Sequence, residues 1–410
     1  MGLQVSEWME LAGLVGKPNV GKSTLFSALT EVDVPIANYP FTTKKPNRGV
    51  TYLRYSCVCR ELGVQDSPKN SKCIDGVRLI PIQIIDCPGI VPGAHLGRGL
   101  GLQFLDEIRQ ASALIVIVDA SGATDSEGNI VEVGSHDPVE DVTLVEREID
   151  KWLLKILSRD WSRVVRAAET RQASLPEEIA RQLSGLGIEK SQVEQALQNA
   201  KLDGSRPASW RQEEMELFAT NLRKIAKTII VGANKCDVAG ASKGVQSLIR
   251  AGYEVVACSA EAERTLRLAA SRGYIKYTPG DKSFTILDSS SLTPAQRAAL
   301  DRLQGFMAKN GGTGVQQLID KAYLEILRYI PVFPVEDPHK LTDREGNVLP
   351  DVYLLKSGST PRDLAYKIHT DLGEGYLYAI DSRTKFKLPS DYKLRAGDVI
   401  SIVSATKKGG

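Results

Sequence analysis

The sequence predicts an α/β protein: a parallel sheet wrapped by helices, with a helical insertion between two strands and a small mixed unit at the C-terminal side. Three observations predict it. Short apolar runs alternate with glycine-rich turns and helical patterns along the first third of the chain. Residues Pro138 to Lys227 are charged and helical in period. After Pro331, Pro334 and Pro338 the texture changes to short strands around one helix. At 410 residues the chain is too long for one ordinary core, so more than one domain is expected.

The elements follow in order. Leu11–Val15, Leu79–Ile85, Ala113–Val118, Thr228–Ala233 and Glu254–Cys258 read as buried strands. Motifs begin at or just after several of their C-terminal ends, where open parallel sheets bind ligands. Leu144, Ile149, Leu153, Ile156 and Leu157 set the helical period of the insertion. A second helical region runs from about Glu261 to Tyr329, with a loop-like middle from Thr278 to Thr293. The three prolines read as a linker. Beyond it Val352–Leu355 is a strand, and Ser359-Thr360-Pro361-Arg362-Asp363 is a helix start with a capping hydroxyl and an early proline. Gly373 is expected to end that helix, and Tyr376–Ile380 and Val399–Val403 to be strands. The expected boundaries are 1–137 and 228–330 for the sheet domain, 138–227 for the helical insertion and 331–408 for the C-terminal unit.

Bulk properties exclude several classes. The formal charge is 52 − 50 = +2, so no long-range field steers the chain toward nucleic acid. The apolar run Ala113–Val118 is far short of the roughly 20 residues that a membrane helix needs. Met1 to Gly16 holds Glu7 and Glu10 and lacks a basic segment before an apolar stretch, so it does not read as a signal peptide. Six cysteines are too sparse for a disulfide scaffold, which makes the cytoplasm the expected compartment. Cys57, Cys59 and Cys73 fall close together in an expected loop. No clear fourth ligand completes a zinc spacing there, so ordinary reduced thiols are the expected state.

The chemistry begins at Gly16-Lys17-Pro18-Asn19-Val20-Gly21-Lys22-Ser23, which matches the phosphate-loop pattern G-x-x-x-x-G-K-[ST] in full. It follows a strand, and Thr24 onward continues as a helix. Glycine lets successive backbone N–H groups turn toward phosphates, and the helix N-terminus adds partial positive charge. Lys22 should reach the β- and γ-phosphates, and Ser23 should ligate Mg2+. Asp86-Cys87-Pro88-Gly89 ends the next strand. Asp86 can hold Mg2+ through water, and the Gly89 N–H can touch the γ-phosphate. Taken alone, the same four residues are also turn chemistry. Between these motifs lies Asn38-Tyr39-Pro40-Phe41-Thr42-Thr43, where either threonine could sense the γ-phosphate by ligating Mg2+.

A second set reads as a guanine site. Asn234-Lys235-Cys236-Asp237 follows the strand Thr228–Ala233, and Ser259-Ala260-Glu261 follows the strand Glu254–Cys258. The Asp237 carboxylate can accept N1–H and the exocyclic amine of guanine, donors that adenine lacks at that edge. The Lys235 stem can cover the base. Asn234 can tie this loop to the phosphate loop. Ser259 can orient Asp237, and the Ala260 N–H can meet the guanine oxygen.

With these motifs in order, the sequence resembles the Obg-like GTPases of the YchF type, in the form that keeps N-K-x-D. The resemblance covers nearly the whole chain. It rests on Gly16–Ser23, Asn38–Thr43, and Gly93-Ala94-His95-Leu96-Gly97-Arg98-Gly99-Leu100-Gly101 after Asp86–Gly89. It implies a P-loop NTPase sheet with a helical insertion, and a C-terminal unit that looks like a TGS domain of β-grasp fold. It implies that Thr43 is the Mg2+ sensor, and that GTP and GDP are the ligands. Many relatives have an altered base motif and prefer ATP; retention of Asp237 points to GTP. Asn19 resembles the asparagine with which some relatives hold K+, and is otherwise a turn residue. The resemblance also implies a role near the ribosome or RNA. In the C-terminal unit Lys356, Arg362, Lys367, Arg383, Lys385 and Lys387 are offset by nearly as many acids, a weak basic signature. No membrane partner is expected.

The expected activity is Mg2+-dependent hydrolysis of GTP by a nucleotide-dependent switch. Lys22, Thr43, Asp86 and Gly89 would carry it, and Ser23, Thr43 and Asp86 would hold the metal. The alternatives are an ATP-preferring enzyme and a nucleotide-gated RNA- or ribosome-binding module with incidental turnover. Many GTPases place a water-orienting glutamine where this chain has Ile90, so slow intrinsic turnover is expected. The stretch Gly89 to Gly101 has few large apolar anchors and reads as a loop ordered by the γ-phosphate, with Ile90 either covering the phosphates or turned away. His95 reads as solvated or structural rather than as a base.

Overall fold

In the computed structural model, the residues described are 11–30, 48–98, 107–109, 111, 113–170, 174–288, 290 and 292–405. They divide into two compact units. One contains the described residues of Leu11–Leu29 and Ile84–Leu318; the other contains those of Thr30–Gln83 and Ile319–Gly410. Among the described residues no helix is long and apolar enough to cross a membrane.

The first unit is organised by the parallel strands β1 (Leu11–Val15), β5 (Ala113–Asp119), β6 (Ile229–Asn234) and β7 (Val255–Ala257), in the order β1-β5-β6-β7; residues 84–86, the end of β4 (Val77–Asp86), lie on the other side of β1. Strands β1 and β5 are buried along their whole length, as continuous apolar runs are when helices cover both faces of a sheet. The register sets Asp119 directly beside Asn234 at the C-terminal edge of the sheet. The core packs Val15, Val116 and Val118 from the strands against Val142, Val145 and Ile149 of the helix Pro138–Arg159. That helix begins on a cap, with Asp137 accepting from the Val139 N–H and Pro138 in the first turn.

The inserted helices have their own apolar cluster. Leu153, Leu157, Val164, Phe218 and Leu222 meet there, with Trp210 between Trp161 and Phe218 at ring separations of 5.2 and 5.4 Å. The expected loop at residues 278–293 holds β9 (Thr285–Ile286), which pairs antiparallel with β8 (Ile275–Lys276) just before the loop.

The second unit holds β2 (Arg48–Ser56), β3 (Lys72–Ile74) and the first part of β4, with β3 antiparallel to β4. It also holds a four-stranded sheet in the order β11-β10-β13-β12, formed by β10 (Tyr329–Val335), β11 (Tyr353–Lys356), β12 (Tyr376–Asp381) and β13 (Val399–Ser404). Strand β10 corrects the expected linker, because Pro331 and Pro334 lie inside an interior strand. The strand tolerates them because it changes partner. It pairs with β11 over Tyr329–Val332 and with β13 over Phe333–Val335, so Pro334 falls beyond the end of the first ladder.

The helix expected near residue 360 is Pro361–Ile368. It ends at His369, whose extended backbone (φ −162°, ψ 140°) also opens a second short helix, Thr370–Glu374. Gly373 therefore lies in the second helix instead of terminating the first. It is small because a Cβ there would come within 2.3 Å of the Tyr366 ring. At the helix start the Thr360 N–H donates to Asp363 Oδ2 at 2.7 Å, and the Thr360 hydroxyl accepts from the Asp363 N–H at 3.3 Å. Thr360→Ala should lower the unfolding free energy by about 0.5–2 kcal/mol. Urea denaturation checks this, and an unchanged midpoint with an unchanged slope would count against the capping box.

Candidate nucleotide-binding site

Local structure sets each part of the site. The chain leaves β1 at Val15, turns through residues 16–21 and enters the helix Lys22–Thr30. Asn19 (φ 62°) and Gly21 (φ 95°) are left-handed, the backbone form that turns N–H groups inward in an anion cradle. A Cβ on Gly21 would come within 2.3 Å of the Asn234 amide nitrogen, so the close approach of these two loops requires glycine.

The site residues meet as follows. The Asn234 side chain, 3% exposed, donates to the Val20 carbonyl at 2.9 Å and accepts from the Ala260 N–H at 2.9 Å. Its backbone carbonyl accepts from the Ala120 N–H at 3.0 Å. The Asn234 carboxamide thus joins the phosphate loop to the Ser259-Ala260 turn, and its backbone carbonyl adds the β5 end. Asp237 is exposed at the adjoining rim, as is Glu261 in the first turn of the helix Ala260–Ser271. Ser259 has a local task as well. Its hydroxyl accepts from the Ala262 N–H at 3.1 Å and caps that helix, and its backbone N–H donates to the Thr313 carbonyl.

Ser23 Oγ donates to Asp86 Oδ2 at 2.7 Å, and Asp86 Oδ1 is buried with no hydrogen-bond partner among the described residues. A hydroxyl beside a carboxylate with one unsatisfied buried oxygen is the donor set that a hard divalent cation takes, so these residues fit Mg2+. Lys22 is buried, its Nζ donating to the Lys17 carbonyl at 2.7 Å. Burial lowers its pKa below the ordinary lysine value, against the pull of Asp86. Gly89 lies against Pro18, where a Cβ would meet the proline ring at 3.0 Å. Thr43, the expected metal sensor, lies outside the described residues, and Thr24 is partly buried in the first turn of the helix.

Two lysines are committed to carboxylates that sequence reasoning did not select. Lys17 Nζ is buried, pairing with Asp141 at 2.9 Å and donating to the Thr124 carbonyl at 2.7 Å, so only its backbone faces the cradle. Asp141 also meets His136 Nε2 at 2.8 Å. Burial raises the Asp141 pKa, and Lys17 and His136 offset only part of the rise. Lys235 (φ 64°) pairs with Asp119 at 2.8 Å. Burial alone would raise the Asp119 pKa, but Lys235 and the Ser121 hydroxyl and N–H hold it below the usual carboxylate range. Asn19 donates to the Gly128 carbonyl at 2.9 Å. The signals for Asp119 and Asp141 were present in the sequence. Asp119 directly follows an apolar strand, and Asp141 shares a helix face with buried Val145 and Glu148.

The loop after Gly89 is anchored, contrary to expectation. Ile90 is 1% exposed within the apolar core, and its N–H donates to the Gly16 carbonyl at 3.1 Å. Ala94 is buried in the same cluster. Glu148 accepts from the Gly93 and His95 N–H groups at 3.0 Å each and from His95 Nδ1 at 2.5 Å. Although burial alone would raise the Glu148 pKa, these donors hold it below its ordinary value. His95 is therefore a structural partner of Glu148. Residues 99–101 lie outside the described residues.

A family model described as 50S ribosome-binding GTPase matches residues 11–155. A model described as the G4 motif-containing domain of the Obg-like GTPase YGR210-like matches 232–337, and a TGS domain model matches 342–404. A GTP-binding protein of Methanocaldococcus jannaschii is 49% identical over 97% of this chain and 100% of its own. The chain belongs to the Obg-like GTPases of the YchF type. A GTP-binding protein of Pyrococcus horikoshii has a crystal structure that is 39% identical, covers 97% of this chain and 100% of its own, and superposes with a TM-score of 0.77. The YchF GTPase of Schizosaccharomyces pombe, at 18% identity, 97% and 99% coverage and a TM-score of 0.56, shares the fold. As a member of this family the chain is a GTP-binding protein with a P-loop GTPase domain and a TGS domain.

Because Ile90 fills core volume, Ile90→Ala should destabilise the protein by about 2–5 kcal/mol. Thermal or urea unfolding measures this, and a loss below ~0.5 kcal/mol would place Ile90 outside the packed core.

Proposed function

We propose that this protein hydrolyses GTP to GDP and phosphate with Mg2+ and acts as a cytoplasmic nucleotide-dependent switch linked to the ribosome or RNA. The observation that carries the nucleotide assignment is the Asn234 bridge from Val20 to Ala260. It holds the phosphate cradle and the guanine-reading turn in fixed register, as a ligand with phosphates at one end and a base at the other requires.

The residues divide the work. Backbone N–H groups of residues 17–23 receive the phosphates, and Lys22 exchanges the Lys17 carbonyl for phosphate oxygens. Ser23 and Asp86 would hold Mg2+, with Thr43 completing the set; the ion would neutralise phosphate charge. The Gly89 N–H would touch the terminal phosphate, and the packing of Gly89 against Pro18 of the phosphate loop supports this role. Asp237 accepts the two guanine donors, and the Ala260 N–H, which donates to Asn234 Oδ1 in this structure, would be shared with the guanine oxygen. Asp119 fixes the Lys235 side chain, whose stem covers the base. The Asn19 amide is already engaged with Gly128, which supports a structural role for it over K+ binding.

Turnover depends on positioning and charge neutralisation. Ile90 is packed in the core and brings no polar group to an attacking water, which supports slow intrinsic hydrolysis and acceleration by a partner. A ribosomal partner draws support from the TGS domain and from a Bacillus subtilis relative named ribosome-binding ATPase YchF, 35% identical over 39% of this chain and 41% of its own.

Two measurements test the reading. Asp237→Asn should weaken GTP binding and admit xanthosine triphosphate, whose edge presents an acceptor in place of the amine. Equal loss for both nucleotides, or wild-type preference for ATP over GTP in competition, would remove the guanine assignment. Cosedimentation with ribosomal subunits should be stronger with a non-hydrolysable GTP analogue than with GDP. Equal recovery in both states would leave nucleotide binding standing but end the proposed switch.

A further inference from the structure

In the second unit, four potential ligands converge that the nucleotide site does not use. Cys57, Cys59, Cys73 and Asp66 each present one ligand atom, and these atoms all lie within 4.8 Å of one another. We propose that Cys57, Cys59, Cys73 and Asp66 form a structural Zn2+ site that pins the segment after β2 to the β3–β4 hairpin.

Two of the ligand-to-ligand distances come close to the edges of a tetrahedral site. With Zn–S near 2.3 Å and Zn–O near 2.0–2.2 Å, the edges of the tetrahedron are about 3.8 Å between sulfurs and about 3.5 Å from sulfur to oxygen. Cys59 Sγ lies 3.8 Å from Cys73 Sγ, and Cys57 Sγ lies 3.2 Å from Asp66 Oδ2. The sulfurs are free thiols, and Cys57 and Cys59 are buried. The sequence pattern C-x-C gave no fourth ligand because Asp66 lies between the cysteines in a stretch without a metal motif. The fold brings it in.

The backbone builds the cluster from three directions. Cys57 leads into the short helix Val58–Leu62, and its N–H donates to the Gly76 carbonyl at 2.9 Å. Cys59 lies in that helix, and its carbonyl accepts from the Val64 N–H. Cys73 is on β3, directly opposite Arg78 of β4, in a hairpin turned by Asp75 (φ 49°) and Gly76 (φ 74°).

The surroundings suit an anionic metal centre. Three thiolates and a carboxylate exceed the charge of Zn2+ by two. Fully buried Arg78 approaches Asp66 Oδ2 at 3.0 Å, offsetting part of that excess and orienting the carboxylate. Arg78 is itself fixed by Ser71 Oγ at 2.9 Å and by the Leu349 carbonyl at 3.0 Å. Zn2+ has no redox chemistry, so its role here is to cross-link; on binding, each thiol releases its proton to solvent.

The test uses the full chain purified without chelator. Elemental analysis should find one zinc per chain, and Co2+ added to the metal-free protein should give thiolate-to-cobalt charge-transfer absorption and intense tetrahedral d–d bands. Asp66→Asn should weaken zinc affinity by at least ~10-fold, and Cys73→Ser by more. Chelation of the wild type should lower its Tm, and Zn2+ should restore it; this arm does not depend on any variant folding. Substoichiometric zinc, no cobalt spectrum, and a Cys59–Cys73 disulfide under mild oxidation would overturn the proposal in favour of a redox pair. Zinc that survives Asp66→Asn with unchanged affinity would remove Asp66 from the ligand set and overturn the four-ligand site.

Discussion

The candidate site depends on a buried carboxamide at the end of β6. Asn234 can donate and accept at once, and it uses both abilities on the backbone of other loops, Val20 on one side and Ala260 on the other. Neither loop would hold this position through apolar packing alone, since both present backbone polar groups. The bond also dictates a neighbour: Gly21 must lack a Cβ for the amide to pass. The parallel register of β5 and β6 sets Asn234 beside Asp119, so the neighbouring strand end delivers the acid that holds Lys235.

A second set of polar contacts fixes the phosphate side from beneath. The helix Pro138–Arg159 places Asp141 under Lys17 and Glu148 under Gly93 and His95. Both acids are buried; Glu148 accepts on both oxygens, while Asp141 takes Lys17 and His136 on Oδ1 and leaves Oδ2 without a partner among the described residues. The first helix of the insertion therefore supports two nucleotide-facing loops. Ile90 adds an apolar anchor to the second of them. The segment 89–98 is held by packing and hydrogen bonds before any nucleotide arrives.

Much of this was legible in residue order. The strands of the parallel sheet announced themselves as apolar runs, because burial on both faces removes the alternation of a half-exposed strand. The motifs at their ends could be read because each is local: a phosphate loop, an aspartate turn and a base-reading turn each complete their pattern within a few residues. Strand β10 was hidden by Pro331 and Pro334, which read as breakers until its two partners are known to take up different halves of it. The Ser259 hydroxyl also caps its helix, because a hydroxyl at the start of a helix serves the nearest unpaired N–H.

The sequence by itself determined the fold class and the order of the nucleotide motifs, because these depend on short spacings and on side-chain chemistry that travels with the residue. Tertiary structure alone decided which acids serve which lysines, that Ile90 faces the core, and that Asp66 joins three cysteines beside Arg78. Those outcomes depend on partners such as Lys235 and Asp119, 116 residues apart, or Arg78 and Leu349, 271 apart. No local pattern encodes such pairings; they arise only when strand register and helix packing bring distant side chains within hydrogen-bonding reach.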